Sequence, residues 1–157
     1  MRKQTKEPVQ ASYCRLLKSG ILAQRVAQAR ERLRRCHVCP RHCEVNRLEG
    51  ELGFCQVGAR PFVASYGPHF GEEDPLRGRH GSGTIFFASC NLRCLYCQNY
   101  EISHLRGGSE FTPRELADMM IELQDQGCHN INLVTPSHQV PHILEGLLLA
   151  AERGLRI

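Results

Sequence analysis

From Gly83 to Ile157 the sequence switches repeatedly between strand-like and helix-like stretches, and that alternation leaves few folds open. Thr84-Ile85-Phe86-Phe87-Ala88 is a short apolar, β-favouring run and reads as a buried strand. Thr112-Pro113-Arg114-Glu115 supplies an N-cap, a proline at the first helical position and a capping-box glutamate. Leu116, Met119, Met120 and Leu123 continue the apolar face of that helix, and Gly127 is placed to end it. Asn130-Ile131-Asn132-Leu133-Val134 reads as a second strand. A second helix runs from about Val140 to Arg153, Gly154 closes it, and Leu155-Arg156-Ile157 reads as the opening of a third strand. Such an order means parallel β/α units, with right-handed crossovers placing both helices on one face. A parallel sheet this narrow is not a finished domain, because it normally needs cover on both faces. The fold class expected is α/β: the truncated start of a partial (β/α) barrel, preceded by N-terminal helices and an irregular cysteine-rich segment.

Three parts follow from this reading: basic N-terminal helices over 1–35, a cysteine-rich segment over 36–83, and the first β/α units over 84–157. In the first, Ser19-Gly20 separates two short helices, and Leu22, Val26, Ala29 and Leu33 form an apolar stripe on the second. Ten Lys/Arg against two acids leave +8 in residues 1–35, while the remainder nets −4 within an overall charge of +4. A basic face of that kind is usually solvated, and only Tyr13 interleaves with the charges, so nucleic acid is not the expected partner. A hydrophobic fraction of 41% excludes wholesale disorder. No apolar run is long enough to span a membrane, and no apolar stretch follows the N-terminal charges as in a secretory leader. A cytoplasmic setting is expected, in which nine clustered cysteines point to metal or redox chemistry rather than to disulfides.

The sharpest feature is Cys90-Asn91-Leu92-Arg93-Cys94-Leu95-Tyr96-Cys97, three thiols in eight residues just past the carboxyl end of a strand. A [4Fe–4S] cube takes four thiolates, so three would leave one iron open to another ligand. The plainer alternatives are a cluster of buried thiols or a zinc knuckle that borrows a distant ligand. Cys128 lies beyond a helix and reads as a small core residue.

Cys90, Cys94 and Cys97, with Tyr96 in the aromatic position, resemble the three-cysteine signature of the radical S-adenosylmethionine (radical SAM) superfamily. The stretch from Gly83 through Asn99 looks like its pyruvate formate-lyase activating enzyme branch, and closest to a subgroup with a cysteine-rich N-terminus. The resemblance implies that residues 84–157 open a radical SAM barrel. It implies a [4Fe–4S] cluster on Cys90, Cys94 and Cys97, with S-adenosylmethionine chelated by the open iron and Tyr96 near the adenine. A single-electron donor would then drive reductive cleavage to a 5′-deoxyadenosyl radical, and a glycyl-radical enzyme is the implied partner. Two departures stand out. The Gly-Gly-Glu-like motif that such enzymes carry after the second strand is replaced by Thr135-Pro136-Ser137-His138, where His138 is the polar candidate. Gly107-Gly108-Ser109-Glu110 imitates the motif but precedes a helix, and reads as loop. The chain also supplies only the opening units of the barrel.

Upstream, Cys36, Cys39, Cys43 and Cys55 form a second four-thiol set, with His37 and His42 as alternates and Gly50 and Gly53 allowing the turns. Zinc or a second iron–sulfur cluster would satisfy it and would order a segment poor in large apolar residues. Free cysteines or a reversible redox pair are the other readings. Cys14 has no partner by spacing and reads as packing. Set against the radical SAM reading are a zinc-binding, non-enzymatic module contacting nucleic acid or a protein partner, and a thiol redox protein built on Cys36 and Cys39.

Overall fold

The computed structural model describes residues 10–157, so the first nine residues of the basic segment lie outside the described residues. Two short helices open the chain, α1 (Ser12–Lys18) and α2 (Ile21–Glu31). Gly20 parts them at φ +74°, a backbone state that costs glycine nothing. Of the expected stripe, Leu22 and Leu33 are buried, while Val26 and Ala29 are half-buried.

One four-stranded sheet follows, made of β1 (Phe62–His69), β2 (Ser82–Phe87), β3 (Ser109–Glu110) and β4 (Ile131–Val134) in the order β3-β1-β2-β4. Two short helices, α3 (Asp74–Arg77) and α4 (Tyr100–Ser103), precede and follow β2. β2 and β4 are parallel, with Ile85 opposite Leu133, and the crossover between them contains α4 and α5 (Pro113–Asp125). Thr112 caps α5 by accepting from the Glu115 N–H, and the Glu115 carboxylate accepts from the Thr112 N–H in return. After β4 comes α6 (Val140–Glu152). Ile85 and Phe87 of β2 meet Leu116, Met120 and Leu123 of α5 and Ile143 and Ala150 of α6 in one apolar core. Residues 82, 84 and 86 of β2 and 132 and 134 of β4 face the opposite side, which is more polar. There the Ser82 hydroxyl donates to Asn130 Oδ1 and accepts from the Asn132 side-chain amide.

The sheet is mixed rather than all-parallel. β1 lies inside the stretch read from sequence as irregular and pairs antiparallel with both β2 and β3. Its sequence, FVASYGPH, carries Gly67 and Pro68 and a register shift between Val63 and Ser65, which hides the period-2 signal of a strand. Ser109–Glu110, expected as loop, is the short strand β3. Leu155–Ile157 forms no strand; the Arg156 N–H is taken by the Gln124 side chain. Among the described residues, no helix is long and apolar enough to cross a membrane.

Candidate functional site

Both parallel strands end in a residue with a left-handed backbone that is not glycine. Ser89 follows β2 at φ 65° and Thr135 follows β4 at φ 59°. Such conformations persist only where the surroundings hold them, and they gather at functional sites. Ser89 is held tightly. Its N–H donates to Ile102 O at 2.8 Å and its hydroxyl to Cys55 O at 2.6 Å. The turn it makes starts the three-cysteine loop.

That loop leans on α4 (Tyr100–Ser103) through the Cys90 N–H, which donates to Ser103 O. Cys90 is buried, Cys97 half-buried and Cys94 exposed. Two of the three sulfurs have donors: the Leu92 N–H stands 3.3 Å from Cys90 Sγ and the Ser103 hydroxyl 3.4 Å from Cys97 Sγ. His104 Nδ1 lies 2.8 Å from that same hydroxyl, so it can donate to the oxygen while the hydroxyl proton turns to sulfur. Hydrogen bonds to the sulfurs tune iron–sulfur centres. Leu95 and Tyr96 at the tip are 95% and 93% exposed.

The donor set fits a [4Fe–4S] cube with one open corner. Among the described residues, no three His, Cys, Asp or Glu side chains are gathered around the position of a single ion. A cube asks for less crowding, because each thiolate binds a different iron.

His138 is not presented at the rim. It sits in a 3₁₀ turn, Ser137–Gln139, and is 1% exposed. Its Nε2 lies 3.3 Å from Ala88 O, so that nitrogen carries the proton, and Nδ1 has no partner. Burial, aided by the Arg47 charge, pushes its pKa down to about 4. At this position the sequence suggested a polar substitute for the Gly-Gly-Glu-like motif; the imidazole is instead turned inward. Ser137 is the rim residue that reaches the loop, 3.4 Å from Asn91 Oδ1.

Residues 36–61 carry one regular element, a 3₁₀ turn at Arg47–Glu49. Cys36, Cys39, Cys43 and Cys55 line one cavity in this segment, and His138 lines it as well. Burial raises the Cys55 thiol pKa above its ordinary value. Arg47 enters the protein beside this cavity and is 1% exposed. It donates to Gly58 O, His138 O and His142 Nε2. Nothing in the sequence marked Arg47 as interior, since an isolated arginine reads as surface.

The two cysteine sets touch. Besides Ser89 and Cys55, the Arg41 Nε donates to Asn91 O at 3.0 Å. The Arg41 and Arg93 guanidinium carbons lie 3.8 and 4.9 Å from the centre of the Phe54 ring. A thiol-bearing loop at the carboxyl end of a parallel strand is thus braced from below by the upstream segment.

Residues 84–157 match the family model of the Radical SAM superfamily. The match starts within β2 and takes in the three-cysteine loop, α5, β4 and α6. The chain is also similar to two proteins of Methanocaldococcus jannaschii. Uncharacterized protein MJ0674 is 33% identical over 135 residues, covering 82% of this chain and 38% of the relative. Uncharacterized protein MJ0808 is 28% identical over 138 residues, covering 77% of this chain and 40% of the relative. Similarity of that length reaches upstream of residue 84. The chain spans about two fifths of the length of these two relatives. No solved structure matches the chain.

Proposed function

We propose that this chain is part of a radical SAM enzyme, with Cys90, Cys94 and Cys97 holding a [4Fe–4S] cluster and S-adenosylmethionine on its open iron. The observation that carries the reading is a single loop bearing three thiols, two of them with hydrogen-bond donors, at the carboxyl end of a strand in a radical SAM domain. When bound, the cluster and cofactor supply one-electron reductive cleavage of the sulfonium, giving methionine and a 5′-deoxyadenosyl radical.

The chain's own residues do the positioning. The Leu92 N–H and Ser103 hydroxyl stabilise negative charge on the Cys90 and Cys97 sulfurs. The Ser89 turn starts the loop, and the Ser89 and Cys90 N–H groups tie it to Ile102 and Ser103 of α4. Tyr96, exposed at the tip, is assigned to the adenine; an aromatic ring with no protein cover is suited to stack on a base. These strands are the opening units of a (β/α) barrel. A single-electron donor, a glycyl-radical enzyme as partner in the manner of pyruvate formate-lyase activating enzymes, and a cytoplasmic setting belong to the same reading.

Anaerobic reconstitution tests it. About four iron and four sulfide per loop are expected, with the Cys94→Ala variant losing them. A reductant should then release 5′-deoxyadenosine from S-adenosylmethionine. Colourless, zinc-loaded protein after the same treatment would end the proposal.

A further inference from the structure

Six thiols lie outside the three-cysteine loop, four of them in the segment 36–55, and beside those four is a charge that no described anion answers. Arg47 is 1% exposed and brings a guanidinium cation into the interior. Its partners are two carbonyls and an imidazole, all uncharged. Among the described residues, no carboxylate pairs with it. A buried cation without an anion is strongly unfavourable. The atoms beside it able to carry negative charge are sulfurs, with Cys36 Sγ 4.0 Å from Nη1. Protonated thiols do not meet that need.

Two further observations concern the same place. All four of Cys36, Cys39, Cys43 and Cys55 line one cavity. The Phe54 N–H donates to Cys43 Sγ at 3.4 Å, and a Cβ at residue 53 would stand 2.9 Å from that sulfur, so glycine is needed for the approach. An N–H aimed at sulfur is worth most when the sulfur is a thiolate.

We infer that Cys36, Cys39, Cys43 and Cys55 hold a closed four-thiolate metal centre, a zinc ion or a [4Fe–4S] cube, whose net negative charge is the partner of Arg47. The two candidates share their chemistry. Four thiolates around a 2+ core leave a charge of about −2, and every metal position on the protein side is filled. Among the described residues the four sulfurs are not gathered around a single-ion position; as metal binds, the thiols release their protons to solvent and the sulfurs close around the core, so the binding energy becomes folding energy. The centre is structural. Through Cys55 O, which accepts from Ser89, and through Phe54, stacked with Arg41 and Arg93, it fixes the base of the three-cysteine loop. The inference uses no thiol of that loop and stands whether or not the radical SAM reading does.

The test uses the full chain with Cys90→Ser, Cys94→Ser and Cys97→Ser combined, so that only the second set can hold metal. Metal and sulfide analysis should find about one zinc per chain, or about four iron with four sulfide, which separates the two cores. Alkylation mapped by mass spectrometry should show Cys36, Cys39, Cys43 and Cys55 protected until a chelator is added, with Cys14 and Cys128 indifferent to it. In the same background, Arg47→Met should lose metal to the chelator roughly tenfold faster or more, and Arg47→Lys should retain it. Protein that stays metal-free when supplied with zinc or with iron and sulfide overturns the inference. So does protection that falls on other cysteines.

Discussion

Ser89 concentrates much of the site's geometry in one side chain. Its backbone is left-handed, its hydroxyl is fully buried, and the 2.6 Å bond to Cys55 O joins the strand end to the upstream segment. Removing the hydroxyl strands a buried carbonyl, so Ser89→Ala should lower unfolding free energy by about 1–3 kcal/mol. Ser89→Gly should cost less, because glycine recovers the conformational strain; denaturant midpoints that rank the two the other way refute this account. His142 makes a prediction about pH. Burial first, then the Arg47 charge, pushes its pKa from 6.5 down to about 3. Below pH 6.5 the unfolded chain takes up a proton that the folded one refuses, so stability is full above that value and falls toward about pH 3. The limiting slope is about 1.4 kcal/mol per pH unit. In urea titrations His142→Gln, which can still accept from Arg47, should show a flatter decline than wild type below pH 6.5. Parallel declines would assign the acid sensitivity elsewhere.

Among the elements, β2 carries the most constraint. Gly83 lies within it opposite Ile131, and a Cβ there would stand 2.7 Å from Asn130 O, a backbone atom that cannot swing away. Gly83→Ala should therefore cost about 1–3 kcal/mol by forcing β4 off β2, read as a lowered thermal midpoint; an unchanged midpoint would mean that the strands give way freely. α5 is the opposite case, decided almost locally. Thr112, Pro113 and Glu115 form the capping box that their spacing implied, and Leu116, Met120 and Leu123 bury the face that their period marked. β1 was not legible in the same way. Pro68, Gly67 and the bulge near Val63 break its alternation, and its pairing partner β2 is more than a dozen residues away.

In the molecule as a whole, the upstream segment is a brace for the loop that carries the candidate cluster. Phe54 is central to that brace, because the guanidinium groups of Arg41 and Arg93 both lie over its ring. Phe54→Ala should raise amide exchange across residues 89–97 while leaving α5 and α6 as protected as before. Equal exchange in loop and helices would separate the two segments mechanically.

The candidate site was legible as a short spacing. Cys90, Cys94 and Cys97 declare themselves because three thiols within eight residues have few structural uses, and the parallel pairing of β2 with β4 follows from the strand–helix–strand order around them. Local patterns of that kind depend on neighbours a few positions apart, which is all that a linear text records. What it could not reveal was the meeting of distant residues. Arg47 lies 91 residues from His138 and 95 from His142, yet joins both in the interior. Ser89 finds Cys55 across 34 residues. His138 turned inward because the buried Ala88 carbonyl offered it a partner, and no spacing announces which way an imidazole will face. Burial is a property of what the whole chain brings to one point, and there it assigned this histidine and this arginine their roles.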